Sequence, residues 1–163
     1  MIMELRLGKS ALLAAMMVLL VGGGSQQLLA NSNPFATLLG SWGGSGLIVL
    51  QDGKKERIKC TGYYTGGGTQ LGLAIYCKSN TQDVKMRGKI SYNAGSLSGT
   101  WEERNFNASG NINGTASKNR ITMRIGGNVS GTMIVSFTKR RQKVTIKTSG
   151  IGLKSVNVTM SRR

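Results

Sequence analysis

The sequence predicts an all-β domain of about 8–10 short antiparallel strands, led in by one short helical turn, and three observations carry that reading. From Gly40 onward the chain has no proline and is rich in Gly, Thr, Ser and Asn. Apolar and polar residues alternate with period two in segments that recur roughly every 10 to 17 residues. No 3.6-residue periodicity is sustained over the same stretch.

The elements follow in order. Asn33-Pro34 offers an N-cap followed by proline at the first helical position, which predicts a helical turn within 33–39. In 55–64, Ile58, Cys60, Gly62 and Tyr64 oppose Lys55, Arg57, Lys59 and Thr61. The clearest strand is 84–92, where Val84, Met86, Gly88, Ile90 and Tyr92 alternate with Lys85, Arg87, Lys89 and Ser91. Shorter alternations at 121–125, 143–147 and 156–160 continue the pattern. One face of each strand is apolar and the other polar or cationic, so the basic residues belong to the outer surface.

Cys60 and Cys77 are the two cysteines. A hairpin turning around Thr65-Gly66-Gly67-Gly68 sets them opposite each other, which predicts a cross-strand disulfide worth about 3 kcal/mol in the chain-entropy model. A short template recurs as Gly95-Ser-Leu-Ser-Gly-Thr-Trp101, Gly110-Asn-Ile-Asn-Gly-Thr-Ala116 and Gly127-Asn-Val-Ser-Gly-Thr-Met133. Its spacing, about two strands and two turns, places the copies in successive hairpins running the same way. Convergence among Gly/Ser/Asn-rich strands is the alternative. Glycines at these points relieve crowding where strands coil into a barrel.

The N-terminus has the layout of a secretory signal: Arg6 and Lys9, an apolar run from Ala11 to Val21, and a polar stretch ending at Ala30. The expected organisation is a cleaved signal over 1–30, a lead-in over 31–39 and one β-barrel domain over 40–163. An uncleaved anchor is the alternative, against which Gly22–Gly24 break the apolar run. Export to a bacterial periplasm or the extracellular space would take both cysteines where thiols oxidise. The mature part carries twenty Lys and Arg against five Asp and Glu, a formal charge of +15. Such a field attracts polyanions.

Gly40-Ser41-Trp42, which follows the helical turn and opens the first strand, resembles the G-x-W start of the calycins, the lipocalin and avidin type of barrel. In lipocalins an arginine near the end of the last strand packs across that tryptophan, and Arg162 and Arg163 stand at the matching place. The resemblance therefore implies an up-and-down antiparallel barrel closed by the first and last strands, with Gly40, Trp42, Arg162 and Arg163 as its signature. An avidin-like biotin site is not implied, because Trp42 and Trp101 are the only tryptophans.

With no histidine in the chain, Ser-His-Asp and Cys-His arrangements are excluded, and the expectation is that the protein is not an enzyme. Glu102 and Glu103 are adjacent on a strand and point to opposite faces, so they cannot flank one bond. The carboxylates are expected to be surface partners of the many cations. Neither a metal nor a cofactor is expected, given two cysteines and few carboxylates. Lys139, Arg140, Arg141, Lys143 and Lys147 form the strongest basic patch, and the first functional reading is binding of an anionic envelope lipid, glycolipid, polymer or acidic protein. The alternative is a carrier of a small apolar ligand inside the barrel, lined by Met86, Met123, Met133, Ile90, Ile125 and Tyr92. Export argues against nucleic acid as a physiological partner, and no second apolar stretch is long enough to span a bilayer.

Overall fold

Alternation of inward and outward side chains, with glycine where strands must bend, organises the whole chain in the computed structural model, which describes residues 33–163. The secretory signal read at 1–30 lies outside the described residues. A four-residue helical turn, α1 (Phe35–Leu38), leads into ten strands: β1 (Gly40–Leu50), β2 (Lys55–Gly67), β3 (Gln70–Lys78), β4 (Asp83–Asn93), β5 (Ser96–Glu103), β6 (Ala108–Ser117), β7 (Arg120–Ile125), β8 (Ser130–Phe137), β9 (Arg141–Ser149) and β10 (Leu153–Arg162). Each strand pairs antiparallel with the next, and β1 pairs β10 from Trp42↔Arg162 to Leu50↔Leu153, so the barrel is closed and has no free edge.

The alternation read at 84–92 is the β4 pleat: Gly88, Ile90 and Tyr92 are buried while Lys85, Arg87 and Lys89 are exposed. Trp42, Ile58, Ile90, Ile121 and Met160, each 2% exposed or less, belong to one continuous core. The helical turn is shorter than 33–39. Pro34 is itself the cap, and the Asn33 side chain accepts a hydrogen bond from Phe35 N at 3.0 Å.

Cys60 and Cys77 are directly opposite across β2 and β3 and are disulfide-bonded, with 4.1 Å between their Cα atoms. The hairpin turns two residues later than Thr65–Gly68 suggests. Gly66 tolerates a φ of 115°, the ladder continues to Gly67↔Gln70, and the loop is Gly68-Thr69.

The repeat has a different placement from the one its spacing suggests. Its copies fall on β5, β6 and β8, and β5 and β6 are antiparallel neighbours, so the copies do not all run one way. The strands are longer than a two-strand step of 15 residues allows, and one strand plus one turn fills the first interval. The inward glycines permit close approach between strands. A Cβ on Gly99 would lie 2.1 Å from the Lys89 carbonyl oxygen, and one on Gly114 equally close to that of Thr122.

The two ends of the barrel differ. α1 plugs the end at which β1 begins and β10 finishes, with Phe35 and Leu38 each 1% exposed and Phe35 edge-on to Tyr92 at 6.0 Å. The opposite end, where β1 finishes and β10 begins, carries no such plug among the described residues. No helix among the described residues is long and apolar enough to cross a membrane.

Candidate binding surfaces of the barrel

The plugged end is built around Trp42. Its indole Nε1 donates to the Leu38 carbonyl at 2.7 Å, which ties the first strand to α1. The Arg162 guanidinium lies 4.6 Å over the indole ring and donates to the carbonyls of Leu39 and Thr37, while its Nε donates to Lys139 O at 2.8 Å. One side chain thus joins α1, the end of β10 and the β8–β9 turn. Arg163 plays no part in this stack and lies against Gly43 on the outer wall. Gly40 supplies a φ of 106° where the chain leaves α1.

The basic patch divides in two. Lys139 and Arg140 occupy the β8–β9 turn at the plugged end, and Arg141 and Lys143 open β9 beside them, all exposed. Arg120 joins this group, because Arg120, Ser136 and Lys143 share one row across three strands. Lys118 stands in the neighbouring β6–β7 turn. Lys147 lies about 13 Å further along β9 and shares its row with Arg124 through Thr132 instead. The signal for Lys118 and Arg120 was two cations flanking a hairpin turn, but one sequence cannot show that two turns lie at the same end.

Carboxylates are segregated from this group. Asp52, Glu56, Asp83, Glu102 and Glu103 all lie at or near strand ends on the unplugged side. Asp52, Asp83 and Glu102 form exposed pairs with Lys54, Lys78 and Arg104 at 3.3, 4.0 and 3.3 Å. The other two depart from the expectation of surface ion pairs. Glu103 is 7% exposed and accepts hydrogen bonds from the backbone N–H groups of Lys85 and Phe106, both at 2.6 Å, which ties the β5–β6 turn to β4. Glu56 accepts from the Thr81 and Ser79 hydroxyls, both at 2.7 Å, and these bonds hold its carboxyl below the ordinary value. These loops needed acceptors for turn N–H and O–H groups, and a nearby carboxylate supplies them more strongly than a surface lysine competes.

The unplugged end is mostly apolar at its mouth, with the buried Glu103 set opposite Met86. Leu50, Met86, Ile125, Ile146, Leu153 and Val156 are half-buried there against the core. Phe106, on the β5–β6 turn at the same end, is 59% exposed. Of the inward residues read from the sequence, Met123, Met133, Ile90 and Tyr92 are packed in the core, and Met86 and Ile125 stand at this mouth.

Deeper inside, towards the plugged end, one polar pair interrupts the core. The Tyr64 hydroxyl donates to Gln142 Oε1 at 3.1 Å, while the buried Gln142 Nε2 has no hydrogen-bond partner among the described residues. Burial pushes the Tyr64 phenol up to about 12, against a smaller opposing effect of the Gln142 bond.

No family model matches the sequence, and no curated protein matches it. Solved structures do share its barrel. Rv2717c from M. tuberculosis superposes with a TM-score of 0.62 at 12% identity, over 78% of this chain and 94% of that one. The S-type phycobiliprotein lyase CPES from Guillardia theta superposes with a TM-score of 0.55 at 10% identity, over 79% of this chain and 89% of that one. The second likeness corrects the expectation that the protein is not an enzyme: a chain named as a lyase is built on this barrel, so missing histidine-based motifs do not remove catalysis from consideration. At such identities the likeness is one of fold, and the fold is a closed, calycin-like antiparallel barrel.

Proposed function

We propose that this chain is an exported barrel, with 1–30 as its secretory signal, that takes a small apolar ligand at its unplugged end. The observation that carries the reading is the group of half-buried apolar side chains at the unplugged mouth, Met86, Ile125, Ile146 and Val156 among them, while the other end is sealed by α1 and Arg162. Each methylene that such a ligand buries is worth about 0.8 kcal/mol, and a flexible thioether such as Met86 adapts to varied apolar shapes. The disulfide and the lack of a membrane-crossing helix among the described residues are compatible with export. The test is titration with the neutral apolar fluorophore N-phenyl-1-naphthylamine. Binding that weakens about tenfold in Met86→Lys and Ile125→Lys, and is unchanged in Lys139→Gln, is the expected result; no binding, or equal binding by all four proteins, overturns the reading.

A second reading rests on a separate observation, the absence of Asp and Glu from the plugged end among the described residues, where Lys118, Arg120, Lys139, Arg140, Arg141 and Lys143 cluster. That face suits an anionic envelope lipid, glycolipid, polymer or acidic protein. Attraction of this kind falls steeply with salt. Sedimentation with anionic and neutral vesicles across a salt series tests it: salt-sensitive anionic selectivity lost on neutralising Lys139, Arg140 and Arg141 supports it, and equal binding to both vesicle types rejects it.

A further inference from the structure

The outer wall over β1–β4 carries an open depression of about 640 Å3, separate from both the mouth and the plugged end. Strand register defines its layout. Gly43, Thr61, Tyr76 and Lys85 lie side by side in one row across four strands, and Ser45, Lys59, Lys78 and Asp83 lie in the next. At the usual strand separation each row is about 14 Å long. Gly43, Ser45 and Thr61 keep the β1–β2 side of the depression low, while Lys59, Tyr76, Lys78 and Lys85 rise over the rest of it.

The chemistry of the lining is specific. Lys59, Lys78, Lys85 and Arg163 bring four cations to it, and Asp83, 4.0 Å from Lys78, is its one carboxylate. Arg163 can lie on the wall because position 43 has no side chain: a Cβ there would fall 2.1 Å from Arg163 Nε. Tyr76 is 39% exposed and presents one ring, and Ser45 and Thr61 add two hydroxyls. The Cys60–Cys77 disulfide sits between the two rows and fixes β2 against β3 beneath them.

We propose that this depression binds an acidic glycan. The C–H face of a pyranose ring packs on the Tyr76 ring, its hydroxyls exchange hydrogen bonds with Ser45 and Thr61, and its carboxylate, phosphate or sulfate groups meet Lys59, Lys85 and Arg163. Four cations with one opposing carboxylate exclude a neutral sugar as the best-matched ligand. Single-stranded nucleic acid would satisfy the same cations, but its bases need successive aromatic platforms and a single ring lines this site. A disulfide beneath the site also belongs to an oxidising compartment, where acidic polymers of cell surfaces are met. This site uses none of the residues in either reading above.

The test is calorimetric titration of the disulfide-intact protein with a galacturonate hexamer, maltohexaose and oligo-dT of similar length. Selective, salt-sensitive binding of the galacturonate is expected. It should weaken about tenfold in Lys59→Gln/Lys85→Gln and in Tyr76→Ala, and stay unchanged in Arg140→Gln. Circular dichroism confirms that each variant keeps its strands, and Lys59→Glu, on an exposed pleat, serves if Tyr76→Ala does not fold. Three outcomes overturn the proposal: equal affinity for maltohexaose, tighter binding of oligo-dT, or galacturonate binding that the wall variants leave intact.

Discussion

Arg162 shows how much one side chain can organise when its donors have fixed geometry. Its guanidinium meets the carbonyls of Thr37, Leu39 and Lys139 and covers the Trp42 ring, contacts that a flexible ammonium cannot reproduce together. Arg162→Ala is expected to cost about 2–3 kcal/mol in urea unfolding, and Arg162→Lys to recover less than half of that. Losses below about 0.5 kcal/mol in both would show that the plug holds without it. Tyr64 makes a prediction of opposite character. Its folded-state phenol is raised to about 12 from an ordinary 10.0, so the stability it contributes is complete below pH 10 and is lost as pH rises from there towards 12. The loss is expected to be about 2–3 kcal/mol across that window and to shrink in Tyr64→Phe, read as the urea midpoint against pH. An identical alkaline slope in wild type and Tyr64→Phe would remove Tyr64 as its cause.

Elements carried their identity in the sequence to unequal degrees. β4 was legible from its alternation because one side of its pleat faces the core and the other faces water. The β2–β3 pairing followed from two cysteines and a glycine-rich turn, and its register sets Cys60 opposite Cys77. Removing that staple by Cys60→Ser/Cys77→Ser is expected to lower stability by about 3 kcal/mol while the far-ultraviolet circular dichroism of the strands is retained. A loss below about 1 kcal/mol would mean that closure of the barrel already constrains the hairpin. The direction of the repeats was not legible, because spacing alone cannot tell one long strand plus a turn from two short strands. Glu103 was likewise read as a surface residue. Its burial follows from one N–H of β4 and one of the β5–β6 turn that need an acceptor, a demand created only once β4, β5 and β6 are paired.

At the scale of the molecule, apolar surface and charge sort along the barrel axis. The plugged end has basic turns and no Asp or Glu among the described residues, and the other end has all five Asp and Glu side chains and the half-buried apolar mouth. The sequence shows the excess of cations but not this polarity, since which turns share an end depends on strand count and closure. It also exposes alternating cations on β2 and β4 without revealing that register aligns Lys59, Lys78 and Lys85 around one depression. The central claim is that the mouth is where a small apolar ligand sits. Amide chemical-shift mapping of the barrel during titration with N-phenyl-1-naphthylamine tests it most directly. The account predicts saturable shifts concentrated at the inner ends of β1, β4, β7, β9 and β10 around Leu50, Met86, Ile125, Ile146 and Val156, with the Arg162 plug unmoved. Shifts confined to the plugged end or the outer wall, or none at all, would contradict it.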